Sequence, residues 1–227
     1  MNIVFGEYAF AHLSTLISNY NDFFLLTDDN IYKIYSSLIA SLLPEKEIYK
    51  IVIPSGEDSK SIENVMFIWN KLHESNAGRD SLLINLGGGT ISDIGGFAAS
   101  CYKRGIDFIN VPTTLLAMTD ASIGGKNGIN FRNRKNQIGL FSIPKSIIIN
   151  PFFLKTLPQR DLLSGLAEMM KYAFIADASF FDLNTDNYLD FIEKAATTKD
   201  DIVNLDFKES GLRKMLNFGH TIGHALE

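Results

Sequence analysis

The chain has 227 residues, 46% of them apolar, with 21 Lys and Arg against 26 Asp and Glu and a formal net charge of −5. That composition belongs to a folded chain long enough for one large or two modest domains, and it excludes disordered and fibrous classes. The acidic balance and the scattered basic residues also exclude a nucleic-acid surface, which needs clustered cations to neutralise phosphates.

The single cysteine, Cys101, rules out an internal disulfide framework and a Cys-rich zinc site and fits a reduced compartment. Met1 to Glu7 lacks the basic and apolar regions of a secretion signal, and no run nears the roughly 18 apolar residues of a membrane span. A cytoplasmic protein is expected, binding neither nucleic acid nor membrane. A small anionic ligand stays open to it, because a few lysines converging in a cleft need not alter the global charge.

In chain order, Phe23 to Leu26, Ile51 to Ile53, Leu82 to Ile84 and Phe108 to Val111 read as short buried strands. Between them Ile31 to Leu43, Ile62 to Leu72 and Ile91 to Lys103 carry helical periodicity. The alternation predicts a Rossmann-like α/β domain with a doubly wound parallel sheet. Gly128 to Arg134 reads as a hairpin, and Ser146 to Ile149 as the last strand. After Pro151 the strand signal stops. Pro158 opens a helical run to Ala176, followed by Tyr188 to Ala196 and Gly211 to the end, so residues 151–227 are expected to form an all-helical domain after an α/β domain of residues 1–150.

Polar motifs sit where the strands should end. Gly87 to Gly96 follows a strand and enters a helix, where bare amides and a helix N-terminus can hold a pyrophosphate; a tight connection is the alternative. Pro54 to Lys60, Pro112-Thr113-Thr114, Asp120 to Lys126 and Lys135-Asn136 would share one crevice at the carboxyl ends of the strands, or else be capped turns and solvated lysines. Glu168 and Lys171 fall one helical turn apart, as an exposed pair or as a buried carboxylate needing a counter-charge or a metal. His220 and His224 have i,i+4 spacing, which suits either a metal site or a polar helix stripe.

Taken together these segments, with Arg104-Gly105, Leu157-Pro158, Arg160, Gly165-Leu166-Ala167-Glu168 and Leu216 to His224, resemble the 3-dehydroquinate synthase family in order from Ser55 onward. The resemblance implies a lyase of the shikimate pathway, which leads to aromatic amino acids and chorismate. Its substrate is 3-deoxy-D-arabino-heptulosonate 7-phosphate and its products are 3-dehydroquinate and phosphate. NAD and a divalent metal, zinc or cobalt, support transient oxidation, phosphate elimination, reduction and intramolecular aldol closure. It also implies a homodimer.

By motif position the metal ligands are Glu168 and His220. The NAD positions are Asp28, Asn30, Ser55, Glu57, Lys60, Gly88, Gly89, Thr90, Asp93, Thr113, Thr114, Phe153 and Thr156, with Lys126 and Lys135 reaching both NAD and substrate. The substrate positions are Asp120, Asn136, Lys171, Lys199, Arg213, Asn217 and His224, and Arg104 matches an arginine lent by a neighbouring subunit.

Asn150 stands where the family has an aspartate, and Asp206-Phe207-Lys208-Glu209 varies its Asp-Glu-x-Glu pattern. The family also continues past the position matching Glu227, and its third metal-ligating histidine lies there. His12 and His73 fall in the nucleotide half. Two protein ligands leave a zinc site incomplete, so the 227-residue chain is expected to lack full activity. Three alternatives are another sugar-phosphate cyclase, an alcohol dehydrogenase of the glycerol dehydrogenase type, and an inactive remnant that binds NAD or a subunit.

Overall fold

The structure, a computed structural model, describes residues 1–6, 8–42, 48–132 and 134–219, with backbone only for 40–42. Its elements are β1 (Ile3–Phe5), α1 (Ala9–Ile17), β2 (Phe23–Asp28), α2 (Asp29–Leu42), β3 (Tyr49–Ile53), α3 (Ile62–Glu74), β4 (Leu82–Gly87) and α4 (Gly89–Cys101). There follow β5 (Asp107–Pro112), β6 (Lys126–Phe131), β7 (Arg134–Phe141), β8 (Ser146–Ile149), α5 (Gln159–Ile175) and α6 (Tyr188–Leu205).

Six strands form one sheet in the order β1-β8-β5-β4-β2-β3, every neighbouring pair parallel. A parallel sheet covered on both faces needs strands that are apolar on both faces, which is why β2 and β4 read as continuous apolar runs. Alternate residues serve opposite layers. Phe23, Leu25, Leu82 and Ile84 pack with α1, α2 and the helices after β8, whereas Phe24, Leu26 and Leu83 pack with α3 and α4.

Local chemistry sets the helix limits. Ser61 caps α3 by accepting the Asn64 N–H at 3.3 Å, and Val65, Ile68 and Leu72 recur along its buried face. The short β1 and the helix α1 lie outside the elements expected from the sequence. A three-residue strand carries no periodicity to read, and β1 is placed by its pairing with β8. The hairpin is longer than expected, β6 and β7 forming a separate antiparallel ribbon with a register break between Ile129 and Phe131.

At Asn150 the side chain accepts the Phe152 N–H at 2.9 Å and Pro151 opens a 3-10 segment to Thr156. No strand follows among the described residues. The expected helix from Gly211 is instead a 3-10 segment at Leu212–Asn217. Asp206 redirects this stretch: its carboxylate accepts the N–H groups of Ser210, Gly211 and Arg213. Those bonds hold it well below the usual range, at about 2. Residues 220–227, and with them His220 and His224, lie outside the described residues.

Candidate functional site

In an open parallel sheet, ligands bind beyond the carboxyl ends of the strands where the strand order reverses. Here that reversal falls at β2 and β4, since β2 continues to β3 on one side while β4, β5 and β8 run the other way. A cleft of about 1390 Å³ opens there, walled by the loops after β2, β3, β4 and β5 on one side and by α5, α6 and the Leu212–Asn217 segment on the other.

On the nucleotide side, Gly88 precedes the first turn of α4 and both Gly88 and Gly89 line the cleft. A Cβ on Gly88 would lie 3.2 Å from the Thr114 methyl, and one on Gly89 would lie 3.0 Å from the Ala121 Cβ. The glycines therefore keep a narrow channel open beside a helix N-terminus, the arrangement that accepts a pyrophosphate. Thr113 Oγ1 is buried with no partner among the described residues and Thr113 also lines the cleft. An unmet hydroxyl of that kind suits a ligand oxygen. NAD fits this cradle.

Lys60, only 4% exposed, is the hub of this wall. Its Nζ donates to Asp93 Oδ2 at 2.7 Å and to Asn136 Oδ1 at 2.6 Å, and lies 3.5 Å from Glu57 Oε1. Burial raises Asp93 to about 6, the Lys60 charge opposing without cancelling it. Thr90 Oγ1 donates to Glu57 Oε2 at 3.3 Å. Asp28 accepts the Ile31 N–H at 2.8 Å, and burial pushes its carboxyl up against that bond. Asn30 lines the same rim, and so do Phe153 and Thr156 at its far end. Tyr35 fixes these last two, its hydroxyl donating to the Phe153 carbonyl at 3.1 Å and bonding to Thr156 Oγ1.

The helical side is a cluster of buried charges. Residues Ala117–Ala121 form one π turn, which presents Asp120. The turn is anchored by Asn110 donating to the Ser122 carbonyl at 3.2 Å, with Asn85 behind it at 3.0 Å, and by the Tyr172 hydroxyl on the Thr119 carbonyl at 3.2 Å. Lys199 of α6 donates to both the carbonyl and Oδ1 of Asp120 at 2.6 Å. Lys171 pairs with Glu168 one turn earlier on α5 and donates to the Leu216 carbonyl at 2.7 Å.

The two carboxyls titrate apart. Desolvation acts upward on Asp120, but Lys199 and Lys171 outweigh it and hold Asp120 below its ordinary value. Glu168 is raised, by desolvation first and by Asp120 second. Arg213, 2% exposed, donates to the Phe207 carbonyl at 2.6 Å. It packs where a Cβ on Gly124 would collide with its guanidinium. At the mouth Lys126 pairs with Glu209, which also accepts from Asn217 Nδ2 at 2.8 Å.

The cleft thus gathers the described candidates from both halves, including exposed Lys135 on β7. Two are left out of its lining: Ser55, whose N–H goes to Asp29 Oδ1 at 2.9 Å, and Arg104, exposed with φ of +70° on the loop after α4. Single motifs leave the lysines as possible surface groups, yet Lys60, Lys171 and Lys199 are buried. Of the Pro112-Thr113-Thr114 segment, Thr114 caps the turn that follows, accepting the Ala117 N–H at 3.1 Å. Sequence reasoning misses Tyr35, Asn130 and Glu209 as site groups, since Phe153, Glu57 and Lys126, which they contact, are distant in sequence.

For a metal, the described residues offer Glu168 as the candidate ligand. They contain no cluster of three or more His, Cys, Asp or Glu side chains able to hold an ion.

The sequence profile of the 3-dehydroquinate synthase N-terminal region matches residues 50–164, just over half of the chain, and that of its C-terminal region matches residues 165–227. The chain belongs to the 3-dehydroquinate synthase family. A 3-dehydroquinate synthase from Alkaliphilus metalliredigens is 41% identical over 99% of this chain and 66% of its own length. One from a Thermoanaerobacter species is 43% identical over 90% of this chain and 61% of its own. The chain therefore spans less than two thirds of the length of these curated relatives.

Among solved structures, 2-epi-5-epi-valiolone synthase from Streptomyces hygroscopicus, with NAD+ and Zn2+ bound, superposes with a TM-score of 0.89 at 29% identity. It is covered over 67% of its length by all of this chain. A 2-deoxy-scyllo-inosose synthase complexed with carbaglucose-6-phosphate, NAD+ and Co2+ shares the fold, with a TM-score of 0.90 at 24% identity over 99% of this chain and 66% of its own. Glycerol dehydrogenase from Schizosaccharomyces pombe is a more distant match, with a TM-score of 0.59 at 18% identity over 95% of this chain and 57% of its own. The two synthases thus superpose on this chain more closely than this dehydrogenase does.

Proposed function

We propose that the protein is a 3-dehydroquinate synthase, taking 3-deoxy-D-arabino-heptulosonate 7-phosphate to 3-dehydroquinate and phosphate as a carbon-oxygen lyase. The observation that carries this reading is the single cleft in which a glycine cradle faces buried Lys171, Lys199 and Arg213, inside a net-acidic chain. NAD, when bound, supplies reversible hydride transfer, and a divalent zinc or cobalt ion supplies polarisation of a substrate oxygen.

The chain's own residues do the rest. Gly88, Gly89, Thr90, Thr113 and Thr114 receive the pyrophosphate, while Asp28, Asn30, Glu57, Lys60, Asp93, Phe153 and Thr156 enclose the nucleosides. Lys126, Lys135 and Asn136 bridge cofactor and substrate. Lys171, Lys199, Arg213, Asn217 and His224 bind the substrate's carboxylate, hydroxyls and phosphate, and Asp120 orients Lys199. Glu168 and His220 hold the metal, and Arg104 serves the site of a second copy in a homodimer. Residues 1–150 form the NAD domain and 151–227 belong to the helical one. A cytoplasmic setting suits this chemistry, and no helix among the described residues is long and apolar enough to cross a membrane.

The test is to follow phosphate and NADH together with this sugar phosphate as substrate, in protein carrying this sequence supplied with NAD and metal. The expected result is phosphate release without net NADH, slower from the 227 residues alone than from a longer 3-dehydroquinate synthase. NADH accumulating in step with substrate would favour the dehydrogenase reading. Phosphate release only from a different sugar phosphate would favour another cyclase, a reading supported by the fold shared with the two synthases above.

A further inference from the structure

We infer that Asn130 is a positioning residue for the NAD cleft, a role that rests on the proposed function. Asn130 lies where the β6–β7 register breaks, between Ile129 and Phe131. Such irregularities re-aim a side chain out of the ladder. Its three polar groups then tie two separate segments together. The backbone N–H donates to the Lys60 carbonyl at 2.8 Å. The side-chain Nδ2 donates to Glu57 Oε1 at 3.0 Å. The side-chain Oδ1 accepts the Asn136 N–H at 2.9 Å.

Each tie acts on a group already placed in the cleft. Asn136 has φ of +54°, a conformation few L-residues adopt, and the bond to Asn130 is what holds its amide there. In that pose the Asn136 carboxamide meets Lys60 Nζ. Glu57, fixed by Asn130 Nδ2, lies on the other side of the same ammonium. Asn130 itself is absent from the cleft lining. It acts through its neighbours, setting the loop after β3 and the start of β7 at the spacing that Lys60 bridges.

Two substitutions separate this role from general stability. Asn130→Ala removes the side-chain bonds to Glu57, whose carbonyl Nδ2 also meets at 3.4 Å, and to Asn136. Asn130→Asp is isosteric and keeps the acceptor for Asn136, but loses the donor and sets a carboxylate against Glu57. NAD affinity is read by titration calorimetry on the full chain, with thermal melting as a check on folding, and Asn130→Asp is also made in a Glu57→Gln background. The expected result is about tenfold weaker NAD binding for Asn130→Ala and Asn130→Asp, with melting temperatures within a few degrees of the unsubstituted protein. In the Glu57→Gln background the carboxamide introduced there can donate to the new carboxylate, so the further loss on adding Asn130→Asp should fall below threefold. NAD binding by Asn130→Ala within twofold of the unsubstituted protein, or an Asn130→Asp penalty equal in both backgrounds, overturns the inference. Absence of NAD binding by the unsubstituted protein instead overturns the proposed function, and the inference with it.

Discussion

Replacing Lys199 with Met tests whether the buried charge cluster is held by its pairing. The Lys199 side chain is 7% exposed, that of Asp120 is 25% exposed, and the ammonium lies 2.6 Å from Asp120 Oδ1. At an effective dielectric of about 20, that separation corresponds to roughly 6 kcal/mol of attraction before desolvation is subtracted. Removing one member of a buried pair costs about 3–5 kcal/mol, because the other charge stays uncompensated. Asp120 is partly open to solvent and also feels Lys171, so the lower end, about 3 kcal/mol, is expected. For a chain of this size that is a fall of roughly 6–12 °C in melting temperature.

Asp120→Asn in the same chain removes the stranded charge and should recover at least half of the loss. Full recovery is not expected, since Lys199 also donates to the Asp120 carbonyl. Urea unfolding of the two single variants and the double variant measures the cycle. A loss below about 1 kcal/mol for Lys199→Met, or a double variant no more stable than that single one, would mean that the pairing does not hold the cluster.

Two further outcomes follow from the same geometry. Gly165→Ala sets a Cβ 2.6 Å from Leu115 Cβ and 2.9 Å from the Leu116 nitrogen, so α5 must move off the loop after β5. A cost of about 1–3 kcal/mol is expected in urea unfolding. Asp93 at about 6, against an ordinary 3.8, binds its proton more tightly folded than unfolded. Its contribution to stability is thus full below the unfolded value and lost as pH rises through 6. Between about pH 7 and pH 5 this group alone should add roughly 1 kcal/mol, an increment that Asp93→Asn abolishes when unfolding is measured at both pH values.

Much of the frame is legible in the sequence. The runs at β2, β4, β5 and β8 are largely apolar on both faces and alternate with helical stretches, the pattern of a covered parallel sheet, and the glycines at 87–89 mark the turn into α4. What stays hidden depends on contacts between segments far apart in the chain. Nothing local says that Lys60 is buried, because its partners Asp93 and Asn136 come from α4 and β7. The same holds for Lys199, which lies beyond the helical stretch expected to Ala196 and is buried because α6 runs on and the π turn places Asp120 beside it. Tyr35 sits 118 residues from the carbonyl it binds. Over the described residues 212–217 the helical expectation gives way to a 3-10 segment, because Asp206 captures the N–H groups of Ser210, Gly211 and Arg213, a side-chain competitor that periodicity cannot weigh.

Everything proposed for this protein depends on the crevice at the carboxyl ends of β2 to β5 receiving NAD, and amide hydrogen exchange with and without NAD tests that most directly. Protection should concentrate at Ser55 to Lys60, Gly88 to Asp93 and Thr113-Thr114, with the outer helix α3 little changed. Protection elsewhere with these three segments unaffected would contradict it.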